Sequence, residues 1–260
     1  MNSINKNFAI ISGLPRTGST LLIALLSQNP RIYGGGASAL CQLMWETQKV
    51  CDGTPAIVAN RLFNAKHDIM SALPGLYYKD VEQPIIIEKG RTWTHPLNFD
   101  MWTRHVNSEQ KIVVLVRPLE DVFKSMAALR IRNNWQDDLY EDLLHVGGEP
   151  ICRAAEAIAF ARKSDPFKAN CPENFLFIDY RDLVKTPLKV IDQIYNLYGW
   201  EKYEHSLNDI TCSNPEDDEV HGLLGMHTIR STISTRELDV ELPDHVKRAC
   251  VELNALVYGS

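Results

Sequence analysis

Residues 8–22 read FAIISGLPRTGSTLL, an apolar run followed by a glycine-rich loop and the start of a leucine-rich helix. Gly13 and Gly18 have the G-x-x-x-x-G spacing of a phosphate-binding loop, and they stand between a predicted strand and a predicted helix, as that motif requires. Glycine lets the backbone turn tightly, so that N–H groups at the helix N-terminus can point at a phosphate. This stretch predicts an anion site at the end of the first strand.

The loop lacks the lysine that nucleoside triphosphatases carry after the second glycine, where it binds the β- and γ-phosphates. Ser19 occupies that position, and the cation of the loop is Arg16. Such a loop suits an anion with one phosphate at this point better than a triphosphate with its metal ion. An ordinary turn with a helix cap is the structural alternative. The loop residues predicted to contact the anion are Pro15, Arg16, Thr17, Gly18, Ser19 and Thr20.

Apolar runs predict four buried strands, which lack the alternation of half-exposed strands and are rich in Ile, Val and Phe. They cover residues 8–12, 85–87, 111–116 and 175–179. Helical patterns follow at about 40–48 and 56–71, after Thr186-Pro187 and after Pro243-Asp244. We therefore expect an α/β fold in which a central parallel sheet is flanked by helices. One domain, 1–260, is expected, with a helical insertion at about 37–80 that could cap the sheet's ligand edge.

A second strand-to-helix junction predicts a second anion site. The strand at 111–116 is followed by Arg117, a proline and two acidic residues, which are typical of a first helical turn. Arg117 is thus expected at the carboxyl edge of the sheet, where open α/β sheets bind ligands. Ser125 follows about two helical turns later. Together they could bind a second phosphate, and the alternative is an ion pair between Arg117 and one of those acids.

Two separate phosphate sites, one of them on a loop without the lysine, indicate a nucleotide phosphorylated at both its 5′ and 3′ positions. These residues resemble the sulfotransferases that use 3′-phosphoadenylyl sulfate (PAPS), and most closely the bacterial ones related to tyrosylprotein sulfotransferases. The resemblance implies the phosphate-binding-loop fold of nucleoside triphosphatases in its sulfotransferase form. It also implies that residues 15–20 bind the 5′-phosphosulfate and that Arg117 and Ser125 bind the 3′-phosphate.

Two later segments extend the resemblance. Residues 178–183, IDYRDL, are similar to the family's strand-end tyrosine segment, which implies that Tyr180 packs near the nucleotide. Residues 225–230, GMHTIR, are similar to a late G-L-H-x-V-R segment, which implies that His227 and Arg230 close over the nucleotide. The implied activity is transfer of a sulfuryl group from PAPS to an acceptor hydroxyl or amine by in-line displacement. Its product is adenosine 3′,5′-bisphosphate.

The segment IIIEKGRTW, residues 85–93, places charged side chains directly after a buried strand and is similar to the family's D-K-x-R-x-W segment. Negative charge develops on the bridging oxygen during transfer, so a fixed cation there lowers the barrier. Lys89 is the predicted leaving-group cation, with Arg16 assisting it. A solvated strand-end lysine is the alternative.

The general base has two candidates. Tyrosylprotein sulfotransferases carry a glutamate shortly after the first helix, where this chain reads GGGAS at 34–38, so that role has no counterpart there. Glu88, which replaces the aspartate of the family segment, is the first candidate, because burial raises the pKa of a carboxyl group. His95 is the second, in a Thr-His-Pro segment faintly similar to the Lys-Thr-His of cytosolic sulfotransferases. A structural histidine is the alternative for His95.

The composition limits the partners and the location that we expect for the protein. The 260 residues include 27 basic and 33 acidic ones, for a net charge of −6, so nothing predicts nucleic-acid binding through a broad basic surface. The longest apolar run, 21–26, is far shorter than the ~18 residues of a membrane span. The N-terminus lacks an apolar signal region, and the six cysteines are scattered, so a cytoplasmic protein with reduced thiols is expected. The acidic run 216–219 is interpreted as a solvated loop, and no metal is expected.

Two other functions remain open at this point. One is a small-molecule or nucleotide kinase with a degenerate phosphate-binding loop, which predicts magnesium-dependent ATP binding. The other is a non-catalytic nucleotide-binding module, which predicts bisphosphate binding without transfer. Protein tyrosine, a glycan, a lipid head group and a small metabolite are all possible acceptors. The sequence defines neither the acceptor nor the oligomeric state.

Overall fold

The computed structural model describes residues 6–62, 64–135, 139–140, 143, 149–163, 172–234 and 238–259 of the chain. The strands are β1 (Asn7–Gly13), β2 (Ile32–Gly34), β3 (Ile85–Lys89), β4 (Ile112–Val116) and β5 (Phe175–Asp179). The helices are α1 (Ser19–Leu26), α2 (Leu40–Gly53), α3 (Pro55–Ala59), α4 (Ala65–Tyr77), α5 (Pro96–His105), α6 (Leu119–Arg132), α7 (Glu149–Arg162), α8 (Tyr180–Lys185), α9 (Pro187–Tyr198) and α10 (Asp244–Tyr258). Within these ranges every helix is too short or too polar to cross a bilayer.

The strands form one parallel sheet in the order β2-β3-β1-β4-β5. The central strand is β1. The chain forms β2 and β3 on one side of β1 and then crosses to form β4 and β5 on the other side. In open parallel sheets, such a change of direction creates the ligand crevice, which here lies at the carboxyl ends of β3, β1 and β4. Ile11 pairs with Lys89 on β3, and Gly13 pairs with Leu115 on β4. Since neighbouring strands lie ~4.8 Å apart, β3 and β4 present their carboxyl ends about 10 Å apart, on either side of the glycine-rich loop.

Helices cover both faces of the sheet. On β4, Val113 and Leu115 pack in one core with side chains of α1 and α9, whereas Ile112, Val114 and Val116 face a second core. The second core includes side chains of α2, α4, α5, α6, α7 and α10. Burial on alternate faces explains why the strand sequences are uniformly apolar, and it confirms the predicted α/β class with a central parallel sheet.

The edge strand β2 was missed by the sequence analysis. Ile32–Gly34 is three residues long, and its extended conformation depends on pairing with β3. So short a run carries no periodicity from which a strand can be predicted.

The predicted insertion at about 37–80 contains α2, α3 and α4. Leu40, Met44 and Met70 are fully buried, so α2 and α4 pack into the core beside the sheet. Of the described residues in this insertion, only Ala37 lines the cavity at the carboxyl edge. The described residues that cover that edge belong instead to the segment 216–234.

Gly13 ends β1 with φ of 131°, and a Cβ at this position would lie 2.1 Å from the carbonyl oxygen of Leu115. We expect Gly13→Ala to lower the free energy of unfolding by about 3 kcal/mol, because the obstructing atom belongs to the backbone of the neighbouring strand. Urea denaturation measures this. The matched control is Gly53→Ala at the end of α2, where an added Cβ meets nothing within 4 Å. Equal stability of the two variants would contradict the assigned packing.

Candidate active site

A cavity of about 330 Å³ lies at the carboxyl edge of β1, β3 and β4. The glycine-rich loop, the ends of β3 and β4, α6, the start of α8, the segment 216–234 and Leu238 enclose it. All eleven residues assigned to nucleotide binding from the sequence line this cavity: Pro15, Arg16, Thr17, Gly18, Ser19, Thr20, Arg117, Ser125, Tyr180, His227 and Arg230. Lys89 lines it as well, whereas Glu88 and His95 are not among the lining residues.

The loop presents a helix N-terminus to the cavity. Gly18 is the N-cap of α1 with φ of 81°, a left-handed conformation that glycine adopts without strain. Glycine has no side chain with which to cap the helix, so the N–H groups of Ser19 and Thr20 stay available for an anion. The Thr17 hydroxyl is directed inward and donates to the Leu14 carbonyl at 2.8 Å, which stabilises the turn.

Arg16 links the loop to α6. Its backbone is left-handed, with φ of 59°, which is uncommon outside glycine. Its Nε donates to Ser125 Oγ at 3.2 Å, and its Nη1 donates to the Met226 carbonyl. The guanidinium therefore lies on the β4 side of the loop. This position differs from the expectation that Arg16 assists Lys89, which extends from β3 on the other side.

Arg117 follows β4 and packs against the loop. Its Nη1 donates to the Arg16 carbonyl at 3.0 Å, and its guanidinium carbon lies 4.2 Å from the centroid of the Tyr180 ring. Its buried Nε has no hydrogen-bond partner among the described residues, and the Asp121 carboxylate is 3.7 Å away. The alternative weighed from the sequence, an ion pair with an acid of the first helical turn, is thus present, at a distance longer than a hydrogen bond. A buried donor without a partner indicates a place for an acceptor such as a phosphate oxygen.

Positive charge accumulates on this side of the cavity. Burial lowers the pKa of Arg16 below its ordinary value, and the nearby charges of Arg117 and Arg132 lower it further. Tyr180, at the start of α8, packs against the loop beside these arginines, and its ring lies 3.0 Å from the position that a Cβ on Gly18 would occupy. Crowded cations of this kind are stabilised when an anion binds between them.

On the other side of the loop, Lys89 forms an ion pair with Glu216. Its Nζ lies 2.7 Å from Glu216 Oε1, and the two side chains are 11% and 13% exposed. Burial alone would raise the pKa of Glu216, but the hydrogen bond and charge of Lys89, the charge of His227 and the Ala37 N–H together lower it. Glu216 is therefore a carboxylate at neutral pH.

The triple glycine at 34–36 accommodates this ion pair. A Cβ on Gly36 would lie 2.0 Å from Glu216 Cγ, and the Ala37 N–H donates to Glu216 Oε1 at 3.2 Å. Gly34 has a separate role, because its Cβ would lie 2.5 Å from a methyl group of Ile23 on α1. Two of these glycines are thus required by close packing.

Asp218 and His227 form a second polar pair on the cavity wall. Asp218 Oδ1 lies 2.7 Å from His227 Nδ1, and Asp218 Oδ2 accepts the His227 backbone N–H at 3.1 Å. The expectation of a solvated acidic run at 216–219 is therefore wrong for two of its four residues. Lys89 is 127 residues from Glu216, and His227 is nine residues from Asp218 in a loop without regular periodicity, so the sequence carried no signal for these contacts.

Glu216 also lies near two histidines. Its Oε1 is 3.4 Å from His227 Nε2, and its Oε2 is 3.5 Å from His221 Nε2. The three side chains offer the donor types of a zinc site within 4.8 Å of one another. The Lys89 ammonium already contacts Glu216 Oε1 and balances its charge, so we interpret the group as an ion-pair network. The absence of a metal remains a prediction.

Glu88 does not reach the cavity. Its side chain is fully buried, and its carboxylate accepts hydrogen bonds from the Ser38 hydroxyl, from Tyr78 at 2.6 Å and from Trp93 at 3.1 Å. Burial raises the pKa of Glu88, while these three donors oppose that shift. Its position fits a structural acceptor, and it does not fit a base that touches an acceptor in the cavity.

His95 is the N-cap residue of α5 and lies near charged side chains of α7. Burial lowers the pKa of His95, and the charge of Arg153 lowers it further. Neither sequence-based candidate for the base is therefore brought to the cavity. The structure brings Glu216 and His227 there instead.

We expect Glu88→Gln to lower the free energy of unfolding by about 2–3 kcal/mol, because an amide has one acceptor oxygen and its NH₂ group would replace an oxygen that accepts either from Tyr78 or from Ser38 and Trp93. Urea denaturation measures this. His95→Asn, in a side chain away from the cavity, is the comparison for activity. Both variants are expected to keep the wild-type single-turnover rate of sulfuryl transfer per folded molecule. A large loss of rate in Glu88→Gln at unchanged stability would restore Glu88 as the base.

Comparison with known proteins identifies the family of this chain. The model of the sulfotransferase family matches residues 9–205. The chain therefore belongs to the sulfotransferase family, a family of enzymes that transfer sulfuryl groups. No curated protein matches the sequence significantly.

Two solved structures of sulfotransferase domains share the fold. The chain is 18% identical to the domain from the curacin biosynthetic pathway, with a TM-score of 0.56 over 96% of this chain and 97% of that one. It is 19% identical to the domain from the Synechococcus PCC 7002 olefin synthase, with a TM-score of 0.59 over 98% of this chain and 96% of that one. These similarities confirm the predicted phosphate-binding-loop fold of sulfotransferases.

Proposed function

We propose that the protein transfers the sulfuryl group of PAPS to an acceptor hydroxyl or amine and releases adenosine 3′,5′-bisphosphate. The observation that carries this proposal is the joining of the lysine-free loop to the partly buried group formed by Arg16, Arg117 and Ser125. A helix N-terminus suits one phosphate, and two adjacent arginines, one of which has an N–H without a hydrogen bond to the described residues, suit a second. A nucleotide with phosphates on both its 5′ and 3′ carbons satisfies both.

The two sides of the crevice have different roles in nucleotide binding and transfer. The N–H groups of residues 18–20 hold the 5′-phosphate, and Arg117, Arg16 and Ser125 hold the 3′-phosphate beside the Tyr180 ring. Arg230 covers the nucleotide from the segment 216–234. Lys89, on the β3 side, contacts the leaving oxygen through a proton that its bond to Glu216 does not use, since an ammonium has three. PAPS supplies the activated sulfuryl group, and the chain supplies position and charge.

A kinase is the principal competing function. Ser19 stands where a kinase of this fold needs its lysine. Arg16 and Arg117 lie together on the β4 side of the loop, where they can bind a second, separate phosphate. A non-catalytic module would keep the nucleotide site and would not need Lys89 in the cavity. The presence of Lys89 there supports an enzyme.

The supporting experiment is calorimetric binding, followed by transfer of label from [³⁵S]PAPS to a panel of phenols, amines, glycans and lipids. We expect adenosine 3′,5′-bisphosphate to bind without magnesium, and to bind far more tightly than adenosine 5′-monophosphate. Magnesium-dependent binding of ATP, with no response to the bisphosphate, would contradict the proposal. Binding of bisphosphate with neither transfer nor PAPS hydrolysis would favour the non-catalytic module.

We also propose a cytoplasmic location. The five described cysteines are free thiols, as is usual in a reducing compartment. Cys171 lies outside the described residues. Sedimentation of wild-type cell extracts, with detection in the cytosolic fraction, tests the location.

A further inference from the structure

The structure fixes the orientation of one imidazole at the cavity. The Asp218 carboxylate contacts both the ring Nδ1 and the backbone N–H of His227. A carboxylate can only accept hydrogen bonds, so Nδ1 carries the ring proton and the lone pair of the neutral ring is on Nε2. His227 and Asp218 are each 12% exposed, so the pair is shielded from competing water.

His227 Nε2 is directed toward the catalytic side of the cavity. It lies 3.4 Å from Glu216 Oε1, which is beyond the usual N–H···O hydrogen-bond distance, so this contact does not require a proton on Nε2. The same oxygen is 2.7 Å from Lys89 Nζ. His227 Nε2 and Lys89 Nζ, the proposed leaving-group cation, are thus both close to the same oxygen, Glu216 Oε1. This arrangement suits two groups that contact the entering and leaving oxygen atoms of one sulfuryl group.

The charges around His227 favour a neutral ring. Burial lowers its pKa below the ordinary value near 6.5, and the charge of Lys89 acts in the same direction. Asp218 and Glu216 oppose this shift without reversing it. Among the described residues, the ring of His221 is a further titratable neighbour, with its centroid 5.5 Å away. A neutral imidazole is ready to accept a proton at neutral pH.

We propose that His227 is the general base of sulfuryl transfer and that Asp218 is its positioning residue, an inference that rests on the proposed use of PAPS. As the acceptor oxygen or nitrogen forms its bond to sulfur, its proton moves to His227 Nε2. The bond between sulfur and the bridging oxygen breaks, and its electron pair leaves on the 5′-phosphate of the bisphosphate. The proton then passes from His227 to solvent.

Glu216 is the other candidate in the cavity, and its contacts oppose that role. Lys89 and the Ala37 N–H both bond to its Oε1, and they help to lower its pKa. A carboxylate stabilised in its charged form is a weak base. Its contacts fit a residue that positions Lys89.

The test uses water as the acceptor, because its reaction needs no knowledge of the natural substrate. Single-turnover release of [³⁵S]sulfate from bound PAPS is measured from pH 5 to 9 for wild type, His227→Gln, Asp218→Asn and Glu216→Gln. Calorimetry with adenosine 3′,5′-bisphosphate reports binding separately. His245→Gln, an exposed histidine on α10, is the matched control.

We expect His227→Gln to lower the rate about 100-fold or more while bisphosphate affinity is retained. The wild-type rate is expected to be flat near pH 7 and to fall as the pH drops through the His227 pKa, below 6.5. Asp218→Asn and Glu216→Gln each remove a negative charge that raises this pKa, so the midpoint moves to lower pH in both. A purely structural role for Asp218 would lower the rate without moving the midpoint.

Three results would overturn the inference while leaving the proposed function intact: wild-type rates in His227→Gln, loss of activity in EDTA with recovery in Zn²⁺, or a protonated His227 at pH 7 in the bisphosphate complex. Nitrogen NMR of the histidine rings measures the last of these, whatever the turnover rate. We expect a neutral ring with its proton on Nδ1. Failure of the wild-type protein to bind the bisphosphate would instead refute the proposed function.

Discussion

Arg117→Ala is expected to weaken the binding of adenosine 3′,5′-bisphosphate about 100-fold and to leave the binding of adenosine 5′-monophosphate nearly unchanged. Removing one partner of a buried, charge-assisted contact costs about 2–5 kcal/mol, and 100-fold corresponds to about 2.7 kcal/mol. The effect depends on the 3′-phosphate because Arg117 lies on the β4 side of the loop, where its buried Nε makes no hydrogen bond to the described residues. Calorimetry with the two nucleotides measures it.

The matched control for this substitution is Arg104→Ala. Arg104 is exposed on α5 and pairs with Asp100 one helical turn away, so its removal tests the loss of an arginine without the loss of the site. Thermal unfolding of both variants separates affinity from folding, since Arg117 also donates to the Arg16 carbonyl. If Arg117→Ala lost affinity equally for both nucleotides, the assignment of Arg117 to the 3′-phosphate would be wrong.

Lys89→Met is expected to slow single-turnover transfer by about 10²–10³-fold while bisphosphate affinity changes little. Lys89 lies on the side opposite the arginines, so its charge acts on the leaving oxygen during transfer more than on the bound product. Rapid-quench release of label from [³⁵S]PAPS measures the rate, and calorimetry measures the affinity. The control is Lys189→Met, in an exposed lysine on α9.

Lys89→Met also leaves Glu216 without its counter-charge, which could slow transfer by itself. The double variant Lys89→Met with Glu216→Gln distinguishes the two causes. We expect the double variant to stay slow, because the leaving oxygen still lacks its cation. Recovery of the wild-type rate would mean that Lys89 serves only to neutralise Glu216.

The sequence predicted that the glycine-rich loop and Arg117 would line one cavity, because each of these motifs consists of residues that are close together in the chain. The loop at 13–20 and the junction at Arg117 each combine a strand end, a turn and a helix start within a few residues. Parallel strands bring their carboxyl ends to one edge, so two such motifs predict one cavity without knowledge of the strand order. The strand order adds what the sequence could not supply, namely that β3 and β4 flank β1 and place Lys89 and Arg117 on opposite sides.

The polar contacts on the Lys89 side of the cavity were not predicted from the sequence, because one joins residues 127 apart and the other lies within an irregular loop. Glu216 reaches Lys89 over Gly36, and Asp218 orients His227, in a segment that forms neither helix nor strand and whose contacts follow no periodicity. The acidic residues at 216–219 therefore resembled an ordinary solvated loop. Glu88 illustrates the converse error, since it directly precedes Lys89 on β3. Successive side chains of a strand point to opposite faces, so the neighbour of a cavity residue is directed into the core.

A crystal structure of the complex with adenosine 3′,5′-bisphosphate would test most directly whether one nucleotide bridges the loop and the arginines. We expect its 5′-phosphate on the N–H groups of residues 18–20 and its 3′-phosphate within hydrogen-bond distance of Arg117 and Ser125, with Lys89 facing the 5′-phosphate from the β3 side. A bisphosphate bound elsewhere, or bound here with its 3′-phosphate in solvent and away from Arg117, would contradict the account.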